Sequence, residues 1–272
     1  MNMDCICCIV IVVVACGAAF GAEMRLSGEF KDEALKRDVL AVCRDALGVY
    51  EKRIAAPPPL GPKPFVVRQA SDGKPRADLR GLPNEYWVNI TCLFTRQYCQ
   101  IVYQVAHELG HHYIHPQRNN WLIESTATAL SLRCLSEMGE KWKTNPPFGN
   151  WKPYAPHFPE YRENTIKGQL GEIGLKPDSD LKAWVRSELP TLVRERKVRR
   201  PEQHACAILI EDAFRRHPDA WGAVCQLGAA TSADGYTDFA AWEKLVGPKE
   251  RALVKDLAAL FGPVFEAGKT AP

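Results

Sequence analysis

Two histidines and a glutamate stand in this sequence at the spacing H-E-x-x-H, formed by His107, Glu108 and His111. Residues four apart lie on one face of an α-helix, one turn from each other, so the two imidazoles can converge on one metal ion. Glu108 is then placed to reach a water on that ion rather than the ion itself, which is the position of a general base. The pattern indicates a catalytic metal site.

A catalytic zinc ion takes three protein ligands and keeps its fourth position for water. His115 continues the same helix face, but ligands at i, i+4 and i+8 span about 12 Å, which is too far for one tetrahedral ion. Gln117 stands where the longer motif H-E-x-x-H-x-x-G-x-x-H has its last histidine, so that class of metal site is excluded. Glu124, in the segment Trp-Leu-Ile-Glu-Ser-Thr-Ala, remains as the third ligand.

Two helices joined by a short turn must position these ligands. Apolar residues recur at helical spacing ahead of the motif, with Thr95 as the predicted N-cap of the first helix and Pro116 as its stop. Asn119 or Asn120 caps the predicted second helix, and Gly139 ends it.

The helix ends predict where the ligands meet. His111 lies about one turn before the first helix ends, and Glu124 about one turn after the second begins, so a helix hairpin places them opposite one another. Ala127, one turn beyond Glu124, is small enough for the two backbones to approach. The competing interpretation is that Glu124 only stabilises its own helix N-terminus, where negative charge is favoured.

These motifs resemble a known family. H-E-L-G-H followed by W-L-I-E-S-T-A is similar to the gluzincin zinc metallopeptidases, in particular the thermolysin-like peptidase MA group of bacterial exported proteins, over about residues 86–133. The resemblance implies that His107, His111 and Glu124 bind zinc and that Glu108 is the general base. Where the family often has an aspartate that supports a histidine ligand, this chain has Thr128, so that support must come from another group.

The resemblance also implies a side chain that stabilises the oxyanion of the tetrahedral intermediate, which gluzincins supply as a tyrosine or histidine from the C-terminal lobe. His204 is the predicted donor, and Tyr154, Tyr161 and His157 are its competitors. His112 points to another helix face and is predicted not to be a ligand.

The chain of 272 residues predicts an α+β, zincin-like fold. A small N-terminal lobe with a short β-sheet and the H-E-x-x-H helix covers residues 23–143, and a mainly helical lobe covers residues 144–272. Residues 144–161 lack periodicity and form either a wall of the cleft or a surface loop packed on the core. In the resembled family the edge strand of the sheet binds an extended peptide as an added strand.

Local patterns place the other elements. A helix is predicted at residues 29–54, strands at 64–68 and 85–91, and five further helices after residue 178. Of the ten cysteines, six follow the leader, and they form either disulfides or buried thiols.

Residues 1–22 are an apolar run with a small-residue end, which predicts a signal peptide in which Ala19-Phe20-Gly21 would serve a signal peptidase. A lipidated Cys16 or an uncleaved anchor are the alternatives. We therefore expect an exported protein, periplasmic or extracellular, that contacts membrane only through this segment. The net charge of +3 is too small to indicate nucleic-acid binding.

The function that these features predict is a zinc-dependent peptidase acting on a peptide or protein substrate. One alternative is an exported zinc-binding protein without proteolytic activity, which acts as a binding or scaffold module. Another is a regulator-cleaving peptidase that shares H-E-L-G-H; such enzymes are cytosolic, so export of this chain counts against it.

Overall fold

A computed structural model describes residues 21–78, 84–115, 120–176, 179–195 and 200–269. Within them the chain is α+β and mostly helical, as predicted, with nine α-helices and a four-stranded sheet. The strands are β1 (Met24–Ser27), β2 (Phe65–Gln69), β3 (Arg76–Asp78) and β4 (Tyr86–Ile90). The helices are α1 (Glu33–Ile54), α2 (Tyr98–Tyr113), α3 (Trp121–Thr144), α4 (His157–Glu172), α5 (Leu181–Glu195), α6 (Arg200–Arg216), α7 (Val224–Leu227), α8 (Phe239–Leu245) and α9 (Pro248–Lys269).

The sheet has the strand order β1-β2-β4-β3. Strands β1, β2 and β4 are parallel, whereas β3 pairs antiparallel with β4 and forms one edge. The predicted strands at 64–68 and 85–91 correspond to β2 and β4, while β1 and the edge strand β3 were not predicted. Helix α2 follows β4 and packs on both β4 and β3, so the edge strand lies beside the H-E-x-x-H motif.

The ends of α2 and α3 differ in part from the prediction. Helix α2 begins after Gln97, not at Thr95, whose hydroxyl donates to the carbonyl of Cys92 at 2.9 Å. Asn120, one of the two predicted options, is the N-cap of α3. Its side-chain oxygen accepts hydrogen bonds from the backbone amides of Leu122 and Ile123. Helix α3 continues through Gly139, where a β-carbon would lie 2.9 Å from Pro159 Cδ. That glycine is needed for close packing rather than to end the helix.

The segment of residues 144–161 packs on the core, as one of the two predicted options has it, but much of it is helical and not a loop. It forms a 3-10 helix at Gly149–Tyr154 and the start of α4. Its aromatic side chains pack on Trp142 at the end of α3, with ring centroids 5.2 Å from Trp151 and 4.8 Å from Phe158. The segment holds α4 against α3, and its lack of periodicity reflects contacts made by single rings.

One buried apolar cluster runs from β1 to α9, so it includes residues of both predicted lobes. All six cysteines after the leader are free thiols, and five of them are buried; they are Cys43, Cys92, Cys99, Cys134, Cys206 and Cys225. Across the described ranges no helix is long and apolar enough to span a membrane. The predicted leader up to residue 20, with Cys16, and the turn residues Pro116, Gln117 and Asn119 lie outside the described residues.

Candidate metal centre

The two histidines of the motif face each other on α2. Their Nε2 atoms are 3.1 Å apart, and the ring planes are inclined by 75°. His111 is buried, and the side chain of His107 is 20% exposed toward the cleft. Spacing by one helical turn therefore brings the two nitrogens together as the sequence predicts.

Glu124, in the first turn of α3, completes the cluster. Its Oε2 lies 3.5 Å from Nε2 of His107 and 3.5 Å from Nε2 of His111. Four donor atoms at about 2.1 Å from a tetrahedral zinc ion lie about 3.4 Å from one another. Three side chains of the right chemical types thus stand at the mutual distances that such an ion requires, and the residues fit the metal.

Charge and burial act in opposite directions on the ligands. Burial alone would raise the pKa of Glu124, but its hydrogen bonds with the two histidines hold that pKa well below its usual range. Burial alone would lower the pKa of His111, and the neighbouring carboxylate of Glu124 instead raises it above its ordinary value. The cluster favours an anionic carboxylate, which is the ligand form that a cation needs.

Glu108 is next to the ligands but is not one of them. It is 2% exposed, and burial raises the pKa of its carboxyl, although hydrogen bonding from the backbone of Ala77 opposes this. Ala77 belongs to the edge strand β3, which holds the carboxyl from the far side of the cleft. A carboxyl with a raised pKa beside a candidate metal site is suited to accept and return a proton.

All these side chains open into one cleft of about 310 Å³ between β3, α2, α3 and α6. Its remaining lining is mainly polar and includes two arginines and a tyrosine: Pro75, Arg76, Ala77, Tyr103, Gln104, Thr128, Arg200, Gln203 and His204. The edge strand therefore forms one rim of the cleft and α6 the opposite rim.

His204 lies in this cleft, but its contacts differ from those of an oxyanion donor. Its Nε2 is 2.8 Å from the hydroxyl of Tyr103, and its Nδ1 is 2.7 Å from the carbonyl oxygen of Arg200. Both ring nitrogens are thus engaged, and burial lowers the pKa of the imidazole. A neutral ring that donates through Nδ1 has no hydrogen on Nε2 for an oxyanion.

The other predicted candidates lie elsewhere. Tyr154, Tyr161 and His157 line a separate cavity of about 410 Å³ beside the start of α2. His112, as predicted, is no part of the cluster: its Nε2 contacts the carbonyl of Trp87 at 2.9 Å, and burial lowers the pKa of the ring to about 4.

Tyr103 is the residue of the site that the sequence reasoning missed. It stands one turn before His107 on α2, on the face of the helix that carries the ligands. The spacing of Tyr103 from His107 could have been read from the sequence, whereas the contact with His204 could not, because His204 is about a hundred residues away in the chain.

Comparison of the chain with protein families, with curated proteins and with solved structures finds no match in any of the three.

Proposed function

We propose that the protein is a zinc-dependent peptidase of gluzincin type that hydrolyses peptide bonds in the cleft between β3 and α6. The observation that carries the proposal is the set of distances of 3.1, 3.5 and 3.5 Å among the donor atoms of His107, His111 and Glu124. Histidine nitrogens with one carboxylate oxygen are a ligand set of catalytic zinc sites.

A bound zinc ion supplies acidity to a water and polarises the scissile carbonyl. Glu108 performs the proton transfers. Its carboxylate takes a proton from the attacking water as the carbon–oxygen bond forms, and returns it to the amine nitrogen as the carbon–nitrogen bond breaks. Burial favours the protonated intermediate state of Glu108, and the backbone of Ala77 acts in the opposite direction by hydrogen-bonding to the carboxylate.

The substrate in this proposal is an extended peptide. Strand β3 pairs with β4 on one side only, and its residues Arg76 and Ala77 line the cleft. An edge strand at this place can add a peptide as a further strand through its main-chain groups. His204 enters the proposal through its contact with Tyr103 rather than as an oxyanion donor.

Export is part of the same proposal, since the apolar leader with its small-residue end is typical of secreted or periplasmic proteins. The second candidate function is an exported zinc-binding protein without proteolytic activity. Thr128 favours it, because a threonine supports a ligand histidine less strongly than the aspartate often present at this position in the resembled family.

The test is a Glu108→Gln variant, which keeps the shape of the side chain but cannot carry the proton. We expect it to bind one equivalent of zinc as the wild type does and to lose cleavage of a peptide library by about two to four orders of magnitude. Glu163→Gln, on the exposed face of α4, is the matched control. Equal cleavage by the wild type, with and without a chelator, would exclude a metallopeptidase. Zinc binding without any cleavage would favour the scaffold function.

A further inference from the structure

The ring of His107 has a second nitrogen, which begins a line of polar contacts that leads away from the metal cluster. Its Nδ1 is 3.4 Å from the hydroxyl oxygen of Thr128 on α3. Burial raises the pKa of the Tyr103 hydroxyl, and the side chain of Thr128 opposes this as a hydrogen-bond donor to that hydroxyl. That hydroxyl is 2.8 Å from Nε2 of His204, whose Nδ1 ends the line at the carbonyl of Arg200, 2.7 Å away.

The final carbonyl fixes the direction of every hydrogen bond in this line. A carbonyl oxygen only accepts, so Nδ1 of His204 carries a hydrogen, and in a neutral ring Nε2 is then an acceptor. Tyr103 therefore donates its single hydrogen to Nε2 of His204, and its oxygen is left to accept from Thr128. Because Thr128 donates its single hydroxyl hydrogen to Tyr103, its oxygen can only accept toward His107, and Nδ1 of His107 is the donor.

We propose that Thr128, Tyr103 and His204 are positioning residues, which together hold the hydrogen of His107 on Nδ1 and leave the lone pair of Nε2 directed at the metal. The inference rests on the metal site proposed above. It assigns to three side chains from three helices the support that a single aspartate gives in the resembled family.

Burial makes this line of contacts effective. Thr128 is 2% exposed and His204 is 6% exposed, so water does not replace the partners easily. The Tyr103 ring is also held by packing, since it lies nearly parallel to His204 with an interplanar angle of 15°. The groups therefore have one arrangement in which every donor meets an acceptor.

The two histidine ligands are held in different ways. Nδ1 of His111 is buried and has no hydrogen-bond partner among the described residues. His111 is oriented by packing and by Glu124, whereas His107 is oriented by the line through Thr128. Removing the phenol of Tyr103 should therefore disturb His107 and leave the ring of His111 as it is.

The test compares Tyr103→Phe with Tyr161→Phe. Tyr161 is a neighbouring tyrosine, with ring centroids 6.3 Å apart, that lines the other cavity. The first readout is zinc affinity in competition with a chelator. We expect Tyr103→Phe to weaken zinc binding by about 10- to 100-fold, the usual effect of losing a group behind a histidine ligand, and Tyr161→Phe to leave it unchanged.

The second readout uses the metal-free protein and does not depend on zinc. Nitrogen NMR of labelled histidine side chains at about pH 8 reports which nitrogen carries the hydrogen. We expect hydrogen on Nδ1 of His107 in the wild type and in Tyr161→Phe, and a mixture of both forms in Tyr103→Phe. A wild-type His107 with its hydrogen on Nε2 would overturn the inference, even if zinc binds and peptides are cleaved.

A third variant, Thr128→Val, keeps the shape of the side chain and removes its hydroxyl. If Thr128 and Tyr103 act in one line, the double variant weakens zinc binding no more than the stronger of the two single variants. Independent, multiplying effects would overturn the inference. A wild type that binds no zinc but shows hydrogen on Nδ1 of His107 would reject the proposed enzyme and retain the hydrogen-bonded line.

Discussion

The helices that carry the proposed ligands are in close contact at Gly110, directly before His111. A β-carbon at this position would lie 3.2 Å from Cα of Ala127 and 3.4 Å from Cδ1 of Leu130, both on α3. The first of these neighbours is a backbone atom, which moves only if the helix moves. Gly110→Ala is therefore a direct test of the helix contact that sets His111 opposite Glu124.

Two effects of opposite sign determine the stability of Gly110→Ala. Alanine is favoured over glycine inside a helix by about 1 kcal/mol. A methyl group forced into a packed contact costs about 1–3 kcal/mol. We expect a free energy of unfolding between the wild-type value and about 2 kcal/mol below it.

Gly168 on α4 provides the matched control. It is exposed, and a β-carbon there would meet no atom within 4 Å. Gly168→Ala should therefore show the helix preference alone, a gain of about 1 kcal/mol. The difference between the two variants, about 1–3 kcal/mol, measures the cost of the contact.

Urea unfolding of the metal-free proteins measures both variants. Zinc affinity supplies the functional readout. If displacement of the ligand side chains costs ~1.4 kcal/mol of binding free energy, Gly110→Ala binds zinc about tenfold more weakly. Equal stabilisation by the two alanines, with unchanged zinc affinity, would refute the close contact of α2 and α3 and with it the placement of the ligands.

Three further predictions concern parts of the molecule around the site. Arg162→Met leaves Glu211, whose side chain is 5% exposed, without its ion-pair partner. We expect the free energy of unfolding to fall by about 3 kcal/mol. A fall below ~0.5 kcal/mol, the usual range of surface substitutions, would contradict this prediction. Asn120→Ala removes the cap of α3 and the hydrogen bonds that its side-chain amide donates to Gly235 and Thr237. It should lower the thermal midpoint by an amount equivalent to at least about 1–2 kcal/mol, and a Ser at this position should recover only the part that the cap contributes. The amide of Ala22 donates a 2.5 Å hydrogen bond to the carboxylate of Glu51. If the leader is cut directly before Ala22, this nitrogen becomes a charged N-terminus that pairs with Glu51. We therefore expect N-terminal sequencing of the exported protein to begin at Ala22.

The side-chain cluster proposed to hold the metal could be predicted from sequence because its geometry is local. His107, Glu108 and His111 occupy successive positions on one helix, and Glu124 follows within one hairpin, so helix periodicity and cap residues are sufficient to bring them together. Asn120 shows the value of a cap, since it fixes where α3 begins and therefore which way Glu124 points.

The parts that could not be predicted depend on contacts between distant segments. Strand β3 has three residues and exists only because β4 pairs with it, so its own sequence has too little periodicity to indicate a strand. Helix α4 was missed because its aromatic residues make separate contacts, Phe158 with Trp142 and Tyr161 with Tyr103, instead of forming a stripe. Gly139 was interpreted as a helix end, whereas the close approach of Pro159 is what requires a glycine there.

The same distinction between local and distant contacts separates two kinds of residue within the site. All three proposed ligands come from the α2–α3 hairpin, whose close packing at Gly110 fixes their spacing, so loss of any ligand should abolish the centre. Helix α6 contributes to the proposed line through His204, whose Nε2 is 2.8 Å from the hydroxyl of Tyr103. Substitutions on α6 should therefore weaken metal binding by degrees, because they change how His107 is held and not which atoms surround the ion.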